Sequence, residues 1–406
     1  MSHQRGEIMS GFNKLSITDL DLKGKRVFIR VDFNVPLNES QQVTDDTRIR
    51  AALPTITKAM EMGGKVILAS HLGRPKGQVK PEFSLKPAAE KLSELLGKPV
   101  GFAPDCIGPE VENLVNAMKE GDVLLLENLR FHKEEEKNDE EFSKSLARFT
   151  DVYINDAFGT AHRAHASTAG IARFVSTAVA GFLLKKEIEY LKGTVENPQK
   201  PFAAIVGGAK VSGKIAVLEN LADKVDKIIV GGGMANTFFK SMGYEIGDSL
   251  CEDDMLDTAR NITEKLKANN VELLLPIDCV IAQEVAPDAE TKIVSVKEVP
   301  SGWKILDIGP ESNRLFKESL ADVKTIIWNG PMGLFEVDAF SKGTYSLAKD
   351  IAKSQAVSII GGGDSVSAVN KAGVANDVTF ISTGGGASLE LLEGKELPGY
   401  AALTDK

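Results

Sequence analysis

Two lysines four residues apart, Lys210 and Lys214, follow the pair Gly207-Gly208 in the stretch GGAKVSGKI. The stretch nearly spells the P-loop pattern G-x-x-x-x-G-K-[ST], but it ends on Ile215, which has no hydroxyl to offer Mg²⁺. The apolar spacing from Val211 to Leu221 is helical, so Gly213 is expected inside a helix, with both lysines on one face of its first turns. Cations near a helix N-terminus are electrostatically misplaced unless an anion binds there, and one phosphate chain could be served by both lysines.

Three more glycine clusters share that half of the chain: Gly231-Gly232-Gly233, Gly361-Gly362-Gly363 and Gly384-Gly385-Gly386. Each falls at or just past the end of a predicted strand and before a predicted helix. Such a turn lets backbone N–H groups face a phosphate without side-chain obstruction. A single one is more simply a tight connection, but four at one sheet edge would make a nucleotide bed. In the third cluster Asp364 and Ser365 stand at the helix start, where either could cap the helix and Asp364 could also hold Mg²⁺. No G-x-G-x-x-G fingerprint occurs, which removes the main support for a dinucleotide dehydrogenase.

The first half carries the opposite chemistry. Arg48, His71-Leu72-Gly73-Arg74-Pro75, Leu129-Arg130-Phe131 and Ala161-His162-Arg163-Ala164-His165 place basic residues beside or just after predicted strands or turns. In an acidic protein this suggests a pocket for a compact polyanion. Taken singly, each arginine is as well explained by a surface ion pair. The histidines could suggest a metal site, but the neighbouring arginines would repel a divalent cation.

The elements that must position these residues alternate regularly. Val/Ile-rich runs at Arg26–Val31, Lys65–Ala69, Val123–Leu126 and Val152–Ile154 predict buried strands in the first half. Runs at Phe202–Val206, Lys227–Val230, Glu272–Leu275, Thr325–Trp328, Val357–Ile360 and Val378–Ile381 do so in the second. Strand and helix in alternation imply parallel sheets covered on both faces. Between the halves, Leu184–Val195 has helical spacing and is closed by Gly193 and the Asn197-Pro198 breaker, so a helix is expected to join two domains.

Composition bounds the possibilities. The 406 residues carry 48 Lys plus Arg against 57 Asp plus Glu, a net charge of −9 that excludes a broadly basic nucleic-acid binder. A 43% hydrophobic share is that of a globular chain. Cys106, Cys251 and Cys279 form no C-x-x-C pair, so their spacing encodes neither a disulfide framework nor a zinc motif, and a reducing cytosol fits. The N-terminus lacks the apolar run of a signal peptide, and no stretch approaches 18 uninterrupted apolar residues, so export by that route and membrane spanning are not expected. Residues 1–10 read as a disordered leader or expression remnant, with Met9 a possible start.

Val31-Asp32-Phe33-Asn34-Val35-Pro36, the His71 and Arg130 segments, Asn155-Asp156-Ala157-Phe158-Gly159-Thr160-Ala161-His162-Arg163, Gly207-Gly208-Ala209-Lys210-Val211, Asn329-Gly330-Pro331-Met332-Gly333 and Gly384-Gly385-Gly386-Ala387-Ser388 together resemble the phosphoglycerate kinase family, from about Ile17 to Tyr400. The resemblance implies an α/β fold of two doubly wound, Rossmann-like parallel-sheet domains joined by a helix, with a hinge. It places a phosphoglycerate-binding domain at 11–183, an interdomain helix at 184–199, a nucleotide-binding domain at 200–393 and a returning segment at 394–406. The implied reaction is Mg²⁺-dependent phosphoryl transfer between 1,3-bisphosphoglycerate and ADP, giving 3-phosphoglycerate and ATP, in a cytoplasmic monomer with no nucleic-acid or membrane partner.

By the same resemblance Asp32, Asn34, His71, Arg74, Arg130 and Arg163 hold the glycerate substrate, and Arg48 contacts the transferring group. Gly207, Gly208, Lys210, Lys214, Gly232, Asn329, Pro331, Gly362, Gly363, Asp364 and Ser365 serve the nucleotide, Glu336 its ribose, and Asp364 the metal. Arg48, Lys214 and the helix start at Gly384, Gly385 and Gly386 would stabilise the charge in transfer. Another kinase of small carboxylates is separable by its acceptor preference. A catalytically inactive binding protein is disfavoured by the presence of both lysines, Arg48 and Asp364.

Overall fold

A computed structural model describes residues 11–406; the expected leader at residues 1–10 lies outside the described residues. The chain divides into two compact units, one made of Phe12–Ile188 with Glu396–Lys406, the other containing Glu189–Lys395.

The first unit is built on six strands: β1 (Arg26–Arg30), β2 (Lys65–Ala69), β3 (Gly101–Phe102), β4 (Val123–Leu125), β5 (Val152–Asn155) and β6 (Ala178–Ala180). They run in the order β3-β4-β2-β1-β5-β6, every pair parallel. The central strands are apolar at nearly every position because helices cover both faces; Val27, Ile29, Val66, Leu68 and Ile154 are fully buried. The order reverses between β1 and β5, so the carboxyl ends of these two strands flank the crevice where doubly wound sheets bind ligands. β3 and β6, two and three residues of Gly, Phe, Ala and Val, are too short to register as apolar runs. The C-terminal segment closes this unit. Lys14 Nζ donates to the carbonyls of Ala401 at 3.1 Å and Leu403 at 2.8 Å, and Asn155 Nδ2 to that of Gly399 at 3.1 Å.

In the second unit β7 (Phe202–Val206), β8 (Lys227–Val230) and β9 (Glu272–Leu274) are followed by an antiparallel trio, β10 (Asp278–Ala282), β11 (Lys292–Ser295) and β12 (Lys304–Ile308). The chain then returns through β13 (Thr325–Asn329), β14 (Val357–Gly361) and β15 (Phe380–Ile381). The main sheet runs β15-β14-β13-β7-β8-β9, all parallel, which in chain order is the 3-2-1-4-5-6 winding of dinucleotide-fold proteins. Its switch point lies between β7 and β13, at Gly207-Gly208 and Gly330-Pro331. The antiparallel trio is absent from the sequence reading: β11 and β12 are largely exposed or half-exposed and their apolar runs are only two residues long, and β10, although buried at four of its five positions, offers only the short run Cys279–Ala282.

The connecting helix runs Phe182–Glu196 and contains the division between the units. It begins two residues before the expected Leu184 and passes through Gly193 without breaking; Asn197-Pro198 alone ends it. The lysine-bearing segment departs further from expectation. The helix there is Ile215–Leu221, and Val211–Lys214 form the bend and turn that precede it. Gly213 is therefore in a turn and neither lysine is on the helix, so the P-loop reading fails on Ile215 alone.

Candidate active site

At the carboxyl edge of the first sheet, β1 ends in Arg30, 1% exposed and flanked by apolar residues. Its guanidinium donates to Ser167 Oγ at 2.8 Å and to the Val31 carbonyl, and lies 3.2 Å from His71 Nδ1. A guanidinium can only donate, so Nδ1 is the acceptor and the imidazole proton sits on Nε2. Burial, reinforced by Arg30, Arg130 and Arg48, pushes the His71 pKa well below its ordinary value, so the ring is neutral in the free protein.

Arg130, 6% exposed on the short turn Leu129–Phe131, donates to the Gly73 carbonyl at 2.9 Å and faces Glu136 at 3.3 Å. Arg30 and Arg163 both act on its charge, and Arg130, Arg30 and Arg163 all act on His165. Arg163 itself is exposed and donates to His162 Nε2 at 3.2 Å. The β1–β5 crevice thus gathers Arg30, His71, Arg130, Arg163 and His165, together with the buried carboxylate of Glu135, which accepts the Ser167 N–H at 2.9 Å and hydroxyl at 2.6 Å.

Arg48 is the second residue of the helix Thr47–Glu61 and is held by Asp32 at 2.5 Å. Asn34 Oδ1 accepts the Gly73 N–H at 2.9 Å, fixing the turn that carries Arg74. Arg74 is exposed and joins no ion pair among the described residues. In the sequence Arg30 falls inside a predicted strand, and Glu135 carries no mark of a functional residue. The available signal was a lone arginine at the carboxyl end of an otherwise apolar strand.

The cluster predicts an acid limb of stability. His165, pushed down to about 3 by burial and then by the three arginines, stays neutral in the folded chain while the unfolded chain protonates near 6.5. The unfolded state therefore binds more protons below that value, and stability present above it is lost as pH falls from 6.5 towards 3. His165→Gln should flatten this limb in denaturant titrations from pH 7 to 4; an unchanged slope would show that His165 does not contribute.

At the carboxyl edge of the second sheet three turns are stitched together through backbone. Gly208 N donates to the Pro331 carbonyl, Gly232 N to that of Met332 and Met234 N to that of Gly208, each at 3.0 Å. Glycine is required at Gly207, where a Cβ would lie 2.1 Å from the Pro331 oxygen. A cleft of ≈ 840 Å³ opens here, lined by the turn residues Gly208, Gly232, Gly233 and Pro331, by Asp364, and by the apolar side chains of Phe239, Leu250, Ile305 and Leu334. An apolar chamber beside glycine turns suits a base and its phosphates. Asn236, 1% exposed on the cleft wall, has a buried Oδ1 with no partner among the described residues, a polar group left for a ligand.

Glu336 lines this cleft and is exposed. Asp364 is exposed at the start of the helix Gly363–Lys371 and has no hydrogen bond or ion pair among the described residues. Lys214 Nζ donates to Asn329 Oδ1; burial lowers its pKa, while Asp364 and Glu393 draw it back up. Lys210 is exposed, and its charge acts on Glu252, the carboxylate that takes the Ser212 N–H at 2.9 Å. Ser365 is fully buried, and its oxygen accepts the Gly330 N–H at 2.5 Å. This hydroxyl lies beneath the turn and ties Gly362-Gly363 to the β13 turn. Gly385 and Gly386 are exposed ahead of the seven-residue helix Gly386–Leu392, and Gly384 N donates to Ser382 Oγ at 3.2 Å. The apolar wall, above all Phe239, Leu250 and Ile305, carries no single sequence signal, because it is assembled from the helix Gly233–Ser241, the loop after it and β12.

Comparison with known proteins places this geometry. A model of the phosphoglycerate kinase family matches residues 17–395. A relative from Nicotiana tabacum named "Phosphoglycerate kinase, cytosolic" is 61% identical over 393 residues, covering 96% of this chain and 98% of its own. One from Arabidopsis thaliana named "Phosphoglycerate kinase 2, chloroplastic" is 59% identical, covering 97% of this chain and 83% of its own. Among solved structures, the phosphoglycerate kinase of Coxiella burnetii superposes with a TM-score of 0.90 at 47% identity, over 96% of this chain and 98% of that one.

Proposed function

The chain belongs to the phosphoglycerate kinase family, and on that premise we propose how its residues carry the reversible transfer of a phosphoryl group between 1,3-bisphosphoglycerate and ADP, giving 3-phosphoglycerate and ATP in glycolysis. The observation that carries the proposal is the partition of chemistry between the two sheet edges, arginines and histidines on one and glycine turns beside an apolar cleft on the other.

The glycerate substrate docks at the β1–β5 crevice. Arg130, Arg163 and Arg74 meet its phosphate and carboxylate, while Asp32, Asn34 and the Nε2–H of His71 address its oxygens. Arg30, buried beneath them, orients His71. The adenine base enters the apolar chamber, Glu336 addresses the ribose, and the phosphates run over the turns at Gly207-Gly208, Gly232, Asn329-Pro331 and Gly362-Gly363 toward Lys210 and Lys214. The attacking oxygen is already an anion, so no protein base is needed and catalysis is positioning plus stabilisation of charge on the transferring group. Arg48 supplies that charge from the glycerate side, Lys214 and the backbone at Gly384, Gly385 and Gly386 from the nucleotide side. Direct in-line transfer requires the two bound substrates to meet, and closure of the two units during turnover also keeps water from the acyl phosphate.

Asp364, a free carboxylate beside the phosphate turns, fits the hard-cation preference of Mg²⁺ for one or two carboxylates plus substrate phosphates. When bound with the nucleotide, Mg²⁺ supplies neutralisation of the phosphate oxygens. Asp364→Asn should weaken binding of the Mg²⁺ nucleotide about tenfold or more, ~1.4 kcal/mol, and leave 3-phosphoglycerate binding unchanged. Calorimetry with each ligand alone checks this, and a loss confined to 3-phosphoglycerate would reverse the partition.

No helix of the described residues is long and apolar enough to cross a membrane. The protein is taken as a monomer, and the cytosolic name of the tobacco relative supports a cytoplasmic location. The test of the activity is a coupled assay with 3-phosphoglycerate and ATP. Preference for another carboxylate acceptor would favour a different kinase, and no turnover with intact ligand binding would favour a binding protein.

A further inference from the structure

Outside the residues assigned to either substrate, the loop after β3 and the segment after the Leu129–Phe131 turn bring Asp105, Cys106 and His132 together, the one such group among the described residues. The three ligand atoms all lie within 4.8 Å of one another, and His132 Nε2 is 2.7 Å from Asp105 Oδ1. Cysteine spacing alone encodes no zinc motif; the fold assembles the set from residues 26 apart in sequence. We propose that Asp105, Cys106 and His132 form a binding site for one thiophilic divalent cation of the Zn²⁺ class, held by three protein ligands with a water in the fourth position.

The donor set fits that class: thiolate, imidazole nitrogen and carboxylate oxygen are the ligands of tetrahedral Zn²⁺. Bond lengths of about 2.0–2.3 Å place ligand atoms roughly 3.3–3.7 Å apart, so the widest gap must close by about 1–1.5 Å and the Asp105–His132 pair must open slightly. Asp105 and His132 can make this adjustment because their side chains are 47% and 27% exposed, whereas Cys106 is buried. The surrounding field favours a cation. The strongest charges acting on the Cys106 thiol are the carboxylates of Asp105 and Glu135, and those on His132 are Asp105 and Glu134. This answers the objection that arginines would repel a metal from the histidines, since arginines act on His71 and His165 whereas the charges acting on His132 are carboxylates. On binding, the Cys106 S–H bond breaks, its proton passes to solvent and the electron pair forms the sulfur–metal bond; His132 Nε2 likewise gives up to solvent the proton it shares with Asp105, with Nδ1 carrying the ring's remaining proton, so that its lone pair can bind the metal, with no change of oxidation state.

The test is titration of the metal-stripped full chain with Co²⁺, followed by displacement with Zn²⁺. The expected result is one Co²⁺ per chain, with a thiolate-to-cobalt charge-transfer band that Zn²⁺ abolishes. The band should be absent in Cys106→Ser and unchanged in Cys251→Ser and Cys279→Ser. Because Cys106 is buried and its variant can fail to fold, His132→Gln is the second variant, expected to weaken Co²⁺ binding at least tenfold while circular dichroism stays that of the parent chain. A missing band, a band that survives Cys106→Ser, or Co²⁺ affinity unchanged in His132→Gln would each overturn the site and leave Asp105–His132 as a surface ion pair.

Discussion

Arg48→Ala lowers kcat about 10²–10³-fold, a loss of roughly 2.7–4 kcal/mol of the kind measured when one donor to a developing charge is removed, and changes KM for either substrate far less. In the ligand-free chain Arg48 is anchored by Asp32 and its side chain is 41% exposed. Its place on the first turn of the helix Thr47–Glu61 sets a cation where the macrodipole prefers an anion. On the proposed role Arg48 meets the transferring phosphoryl group, so its strongest contact would be made in the transition state and its deletion would fall on kcat. Steady-state kinetics in both directions check this. A variant with near-parental kcat and a raised KM for 3-phosphoglycerate would make Arg48 an ordinary substrate anchor.

Lys214→Ala binds ADP within about tenfold of the parent, ~1.4 kcal/mol, while kcat falls by two decades or more, roughly 2.7 kcal/mol of barrier. The structure sharpens this expectation. Lys214 sits in the turn before its helix, and its ammonium is already engaged by Asn329 Oδ1. ADP binding must therefore compete with an existing partner and gains little from the lysine. As charge redistributes over the equatorial oxygens in a site closed to water, the same cation gains strength. ADP affinity and kcat measured on one preparation decide between roles, since parallel losses in both would make the lysine a static anchor.

The two sheets and the segregation of basic residues from glycine turns were legible because both leave local marks. Buried parallel strands such as Thr325–Asn329 are continuous apolar runs, and the glycine turns recur at strand ends. What escaped notice lacks such marks. Gly213 sits in a helical pattern but turns, because the chain must pass from β7 to a helix that starts only at Ile215. Arg30 falls inside a predicted strand and Glu135 is unmarked in the sequence, since both are engaged by Ser167, 137 and 32 residues away. Ser365, given to the nucleotide by the resemblance, is also the acceptor of the Gly330 N–H, a contact 35 residues away that the sequence does not display. The base-binding wall is assembled from β8–β9 connections and the antiparallel trio, and no single segment announces it.

The most direct test of the account is trapping of the product acyl phosphate with hydroxylamine during incubation of the chain with Mg²⁺, ATP and 3-phosphoglycerate. The account predicts hydroxamate in step with released ADP, dependent on 3-phosphoglycerate and suppressed at least a hundredfold in Arg48→Ala and in Lys214→Ala, ~2.7 kcal/mol in each. Release of ADP without hydroxamate, or hydroxamate formed equally well from other carboxylates, would contradict it.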